Sequence, residues 1–258
     1  MRNQVRECLT AGKPAIGCQL RFGSPAIAEL FGHSGFDWIL LDSEHAPQTP
    51  TGMQAQLQAI GNTPAAPIVR LPNIDEELIR LYLDMGAMGI LTAFTNTPEE
   101  AERAAHACRY PPRGDRSFGP HRASHYGLRT QEYLEKIDDL VVYMALIESA
   151  EAIDNIDAIF AVEGMDTVII GPVDLSYSLG VPFDYESDTF QEAQAKVAEA
   201  ASKAGKPAGL GVYRNPLESA NMKRAMDDGF QVLLTGSDEG TLMEGCRQMA
   251  KVREHLGI

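Results

Sequence analysis

Short apolar runs alternate with stretches in which apolar residues recur every three or four positions, and this alternation continues along the whole chain. The runs that read as strands are 14–20 (PAIGCQL), 37–42 (DWILLD), 66–70 (APIVR) and 88–93 (MGILTA). Four more fall at 140–147 (LVVYMALI), 166–171 (DTVIIG), 207–212 (PAGLGV) and 231–236 (QVLLTG). Between them the spacing predicts helices. One begins at Pro98 with glutamates in its first turn and runs through PEEAERAAHACRY. Another, SAEAIDNIDAIFAV, follows Ser149, whose hydroxyl can cap it. A third, QEAQAKVAEAASKAG, is expected to end at Gly205, where a left-handed residue stops a helix.

Strands that are apolar on both faces indicate a parallel sheet covered by helices. Eight strands are the number that closes a (β/α)8 TIM barrel; a doubly wound open sheet is the alternative. No GxGxxG opens a helix after the first strand, which weighs against an open dinucleotide-binding sheet. No low-complexity tract or linker divides the 258 residues, so a single α/β domain over 1–258 is expected.

In a barrel, chemistry gathers where strands end and their following loops begin. The second strand runs into Asp42-Ser43-Glu44-His45, the third ends in Arg70, the fifth in Glu148 and the sixth in Gly171-Pro172-Val173-Asp174. Four strands thus bring charged groups to one rim. Glu148 and Asp174 lie 26 residues apart in the sequence, about one βα repeat. They therefore belong at matching heights on neighbouring strands. Side-by-side carboxylates repel unless a cation neutralises them, and two oxygen ligands suit a hard divalent ion such as Mg2+ or Mn2+. The competing reading has Glu148 capping the next helix and Asp174 pairing with a lysine or arginine.

Two readings also stand for His45: a surface loop residue, or an imidazole oriented by Asp42 three positions earlier. Arg70 is either a site residue or a barrel-filling arginine paired with Glu44. The Gly171 and Val173 N–H groups offer a cradle for a carboxylate.

Composition narrows the classes. With 36 acidic against 22 basic side chains, a charge of −14 and no Lys/Arg run, nucleic acid and anionic membrane surfaces are poor partners. The start, MRNQVRECLTAGKP, lacks the apolar region of a secretory signal, and Cys8, Cys18, Cys108 and Cys246 form no CxxC pair. A reducing cytoplasm fits best.

The stretches GFDWILLDSEHAP, APIVRLP, LDMGAMGI, RYPPRGDRS, IESAEAIDNIDAIFAVEGMDTVIIGPVDLSYSLG and LLTGSDEG together resemble the HpcH/HpaI family of metal-dependent class II pyruvate aldolases, of the 4-hydroxy-2-oxoheptanedioate aldolase type. The resemblance implies a divalent metal (Mg2+, Mn2+ or Co2+) on Glu148 and Asp174. It also implies Arg70 at the carbonyl of pyruvate and a His45–Asp42 dyad handling the proton of the aldol hydroxyl. The pyruvate carboxylate then lies on Gly171, Pro172 and Val173, beside Asp174. Asp84 matches an acidic residue given to a neighbouring subunit's site. The implied assembly is a homo-hexamer, a trimer of dimers, with the C-terminal helix (238–257) exchanged between protomers. The implied reaction cleaves a 4-hydroxy-2-oxo acid to pyruvate and an aldehyde through a metal-stabilised enolate.

The chain departs from the family pattern at Ser43, at Thr92-Ala93-Phe94, at Leu146 and in RSFGPHRAS (116–124). The last departure places His121 and Arg122 where small or apolar side chains are usual. They point either to solvent or to the acceptor end of the substrate, over the mouth of the site. Other enolate chemistry, whether on a keto-deoxy-sugar acid, of the citrate-lyase type or decarboxylating as in macrophomate synthase, remains an alternative. So does a non-catalytic metal- or carboxylate-binding barrel.

Overall fold

The computed structural model describes residues 1–212 and 219–256. Each predicted apolar run forms a strand: β1 Ala15–Leu20, β2 Trp38–Asp42, β3 Ala66–Leu71, β4 Gly89–Thr92, β5 Val142–Ile147, β6 Thr167–Ile170, β7 Ala208–Val212 and β8 Phe230–Ser237. All neighbours pair in parallel, and β8 returns to β1 to close the barrel in sequence order. The open-sheet alternative is thereby removed.

Loops after the strands carry recurring helix-start chemistry. Ser24-Pro25, Thr49-Pro50 and Thr97-Pro98 each place a capping hydroxyl before a proline in the first helical turn. Thr97 and Glu100 complete a capping box. The helix Asp188–Ala204 ends on Gly205 at φ +64°, as expected. Two expectations need adjusting. The helix from Pro98 stops at Ala107, and the stretch after Ser149 is two short helices, Ala150–Asp154 and Ile156–Ala161, broken at Asn155. There the Asn155 side chain donates to the Asn96 carbonyl (2.9 Å).

Apolar burial falls into two layers. Inside the barrel, Trp38, Leu40, Ile68, Leu91, Met144 and Val232 pack together, with Val5 and Cys8 of the first helix among them. Between barrel and helices lies a larger shell including Leu41, Val69, Ile90, Ile147, Ile170 and Leu233.

Strand register sets the level of the rim. Asp42 pairs directly with Arg70 across β2 and β3, and Leu20 pairs with Leu41 across β1 and β2. Ile147 pairs with Ile170 across β5 and β6, so Glu148 and Gly171 emerge side by side. Past β8, the buried Asp238 carboxylate accepts the Arg21 and Phe22 N–H groups (3.0 Å each at the shorter contact), tying the seam at this end.

The final long helix, Asp238–Ala250, buries only Asp238, leaving Leu242, Met243 and Met249 exposed. The last residue of the 238–257 segment lies outside the described residues. No described helix is long and apolar enough to cross a membrane, and all four cysteines are free.

Candidate active site

A cavity of about 290 Å3 opens at the C-terminal ends of the strands. Its floor is apolar, from Leu40, Leu91, Leu146 and Leu234. Its polar lining comes from five strand ends: Gln19 on β1 and Arg21 just after it, His45 after β2, Arg70 on β3, Glu148 after β5, and Gly171 to Asp174 after β6. The residues expected at Glu148, Asp174, Arg70, His45, Gly171, Pro172 and Val173 therefore meet in one space.

Asp42, fully buried, organises the rim. Its Oδ1 accepts the N–H groups of Glu44 (2.9 Å) and His45 (3.1 Å) and Arg70 Nε (3.0 Å). Its Oδ2 accepts Gln19 Nε2 (2.7 Å) and Arg70 Nη2 (2.5 Å). Burial pushes this carboxyl up, but the Arg70 guanidinium and the two backbone N–H groups outweigh it and hold its pKa below the usual range.

These contacts correct the expected dyad. Asp42 holds the backbone of His45, not its imidazole; the carboxylate beside His45 Nε2 is Glu44, at 3.6 Å. The cause is local: in the Asp-Ser-Glu-His turn the short Asp side chain reaches its own following N–H groups first. Arg70 meets both carboxylates, since its Nη1 lies 3.2 Å from Glu44 Oε2. The site and barrel-filling readings of Arg70 are both part of its geometry.

Glu148 is buried, and Gly171 permits its position. A Cβ on Gly171 would come within 3.0 Å of Glu148 Oε2. The other oxygen, Oε1, accepts the Phe94 N–H at 2.8 Å. Phe94 has φ +48°, a left-handed conformation that a non-glycine residue seldom adopts. Burial raises the Glu148 pKa to about 7, and Glu44 and Asp174 add to the rise. Burial likewise raises Glu44.

A second correction concerns the carboxylate cradle. The Gly171 N–H donates to the Ile147 carbonyl (3.0 Å) in the strand ladder. Val173 remains as the amide of that pair, in the first turn of the helix Pro172–Ser178, where N–H groups lack intrahelical acceptors.

Asp84, His121 and Arg122 stand apart from this cavity. Asp84 ends the helix Glu76–Asp84, which returns the chain toward β4, and pairs with the buried Arg116 (2.6 Å). His121 lies edge-on to Tyr126, with ring centroids 5.0 Å apart. Arg122 donates to the Met85 carbonyl (2.8 Å) at the end of that same helix, and burial lowers its pKa. A guanidinium settled on helix C-terminal carbonyls is electrostatically satisfied there. Neither group overlies the mouth of its own chain's cavity, which corrects that expectation. Three neighbours escaped the strand-end reasoning: Gln19, Arg21 and the Phe94 N–H. Arg21 directly follows a predicted strand, and this was the available signal.

The family model for HpcH/HpaI aldolase/citrate lyase matches residues 16–244. A 5-keto-4-deoxy-D-glucarate aldolase of Shigella boydii serotype 18 is 34% identical over 249 residues, covering 96% of this chain and 95% of its own. Among solved structures, an HpcH/HpaI aldolase/citrate lyase family protein from Burkholderia cenocepacia J2315 superposes with a TM-score of 0.89 at 30% identity, covering 97% and 99% of the two chains. The HpcH/HpaI aldolase from Desulfitobacterium hafniense DCB-2 matches equally well in TM-score, 0.89, at 29% identity and 97% and 96% coverage.

Proposed function

The chain belongs to the HpcH/HpaI aldolase/citrate lyase family of carbon–carbon lyases, and from that membership we propose that it is a divalent-metal-dependent aldolase cleaving 4-hydroxy-2-oxo acids to pyruvate and an aldehyde. The observation that carries this reading is the convergence of Glu148, Asp174, Arg70 and His45 on one cavity, from the C-terminal ends of four strands or just beyond them.

The carboxylates decide whether a divalent ion fits. Glu44, Glu148 and Asp174 act on one another around Arg70, and Glu148 is held near 7 by burial and these neighbours. A cation relieves such crowding. The donors are hard oxygens, and the bare Gly171 leaves space beside Glu148 Oε2. No cluster of three or more His, Cys, Asp or Glu suited to a metal occurs among the described residues. In this reading Glu148 and Asp174 would hold the ion, with water and substrate oxygens completing its shell. When bound, Mg2+, Mn2+ or Co2+ would supply Lewis-acid polarisation of the substrate's keto oxygen.

The chain's own groups account for the remaining steps. The Val173 N–H, beside Pro172, receives the substrate carboxylate. Arg70, fixed by Asp42 and Glu44, keeps a positive charge where negative charge grows on the C2 oxygen. His45, with Glu44 at its side, takes the proton of the C4 hydroxyl. The C3–C4 bond then breaks, its electron pair forms the pyruvate enolate, and the aldehyde departs. Protonation at C3 completes pyruvate. The leucine floor keeps water from the enolate.

In the same reading the working unit is a homo-oligomer, a hexamer built as a trimer of dimers. The exposed Leu242, Met243 and Met249 would lie on another copy through an exchanged C-terminal helix, and Asp84 would serve a neighbour's cavity. Sedimentation of the purified chain tests this, and a monomer at micromolar concentration overturns it.

The similarity to a 5-keto-4-deoxy-D-glucarate aldolase makes that compound the first substrate to try. Pyruvate release with Mg2+ present, lost on chelation and regained on adding the metal back, is the expected result. Undiminished release from fully chelated protein would remove the metal from the proposal.

A further inference from the structure

Among the described lining residues, Arg21 is the charged group that the reaction above does not use. The pairing of Leu20 with Leu41 sets it beside Asp42 at the rim, next to His45. Its side chain is 33% exposed, whereas that of Arg70, the other arginine among the described lining residues, is 9% exposed and committed to Asp42 and Glu44. The Arg21 guanidinium has one short contact and two long ones. Nη1 pairs with Glu239 (2.8 Å), Nη2 makes one long contact with the His45 carbonyl (3.4 Å), and the buried Nε has no hydrogen-bond partner. Its distance from Asp42 Oδ2 is 3.5 Å, and that oxygen already accepts two shorter hydrogen bonds. Neutralising Asp42 therefore does not account for Arg21.

We propose that Arg21 is a specificity-determining residue that binds a carboxylate on the departing aldehyde. This rests on the aldolase reading, in which His45 faces the C4 hydroxyl. Whatever extends beyond C4 on the His45 side meets Arg21 next, because Nη2 already touches the His45 backbone. Arg21 presents a planar fork suited to a carboxylate, in a cavity whose other arginine is taken. The chemical class implied is an acceptor aldehyde bearing its own carboxylate, so that the substrate cleaved is a diacid.

The test is the kcat/KM for adding pyruvate to glyoxylate or succinic semialdehyde, divided by that for glycolaldehyde. The variants are Arg21→Ala, Arg21→Lys and Glu239→Gln. Arg21→Ala is expected to lower this ratio about ten- to a hundredfold, the loss of one charge-assisted contact. Arg21→Lys keeps the charge without the fork and should fall between. Glu239→Gln, which removes only the ion pair with the final helix, should keep the ratio within about twofold. An unchanged ratio in Arg21→Ala overturns the proposal. So does an equal fall in Glu239→Gln, which would make Arg21 a clamp between β1 and that helix. If the unaltered protein joins pyruvate to none of these aldehydes, the aldolase reading itself fails, a result distinct from an unchanged ratio.

Discussion

Asp42 and Arg70 are direct partners across β2 and β3, and the guanidinium meets the carboxylate through two hydrogen bonds of 3.0 and 2.5 Å. The pair is part of the barrel's interior and, in the proposed reaction, supports its chemistry. Asp42 is wholly buried, yet it carries four donor groups, while Arg70 turns its remaining nitrogen toward Glu44. Holding the charge of Arg70 still in this way is what an oxyanion stabiliser requires.

Arg70→Ala should therefore fail in two ways. It strands a buried carboxylate, which should cost about 3–5 kcal/mol in denaturant unfolding. It should also abolish aldol cleavage and slow exchange of the pyruvate methyl protons with solvent, followed by NMR. His45→Ala should spare that exchange more than it spares cleavage, because its assigned proton is on the C4 hydroxyl. Equal losses in both assays for both variants would reject this division of roles.

The same pair sets an acid limit. The folded pKa of Asp42 is depressed below its unfolded value of about 3.9. Its contribution to stability is thus present above that value and is lost as pH falls through the folded pKa. Asp42→Asn should be less stable than the unaltered chain at pH 7, with the gap narrowing below about pH 4. Unfolding free energies measured from pH 7 to pH 3 test this. A gap that stays constant over that range would mean that Asp42 is not the titrating group.

Glu148 directly follows β5 and Asp174 lies in the first turn of the helix Pro172–Ser178, both at the rim, so their removal should spare the fold. Asp174→Ala and Glu148→Gln should each bind Mn2+ at least about tenfold more weakly by calorimetry, with pyruvate release lost in parallel. Wild-type Mn2+ affinity in both would show that the ion does not use these carboxylates.

All eight strands were legible because runs such as VVYMALI and TVII contain too few polar positions for anything but a doubly covered strand. Glu148 and Asp174 were legible because each follows such a run closely. The orientation of Asp42 was not, since an imidazole and two backbone N–H groups compete for one carboxylate and the outcome depends on the folded geometry of the turn. Arg21 and Arg122 illustrate the same limit. Both stand in glycine-containing stretches, RFGS and GPHR, yet the first lines the cavity and the second rests on the Met85 carbonyl. A side chain several bonds long takes its direction from tertiary neighbours that sequence spacing does not encode. The Phe94 N–H could not have been found at all, because its value lies in a positive φ on a non-glycine residue.

Gly171 offers the finest test of the site's geometry. Its φ of −88° suits any residue, so Gly171→Ala carries no backbone strain. The added methyl would instead stand 3.0 Å from Glu148 Oε2 and 3.2 Å from Glu148 Cβ, close enough to require a shift of a few tenths of an ångström. Glu148 has little freedom to give way, because its other oxygen is held by the Phe94 N–H and its side chain is buried. The carboxylate should therefore turn away from its present direction while the barrel stays intact. The expected outcome is a thermal midpoint within a few degrees of the unaltered protein, a change of about 1 kcal/mol or less. Mn2+ affinity and pyruvate release should each fall by about tenfold or more, since a ligand displaced even slightly loses its coordination geometry. Calorimetric metal titration beside thermal unfolding separates the two effects. Unchanged Mn2+ affinity would mean that the bare face of Gly171 has no part in placing Glu148 for the ion.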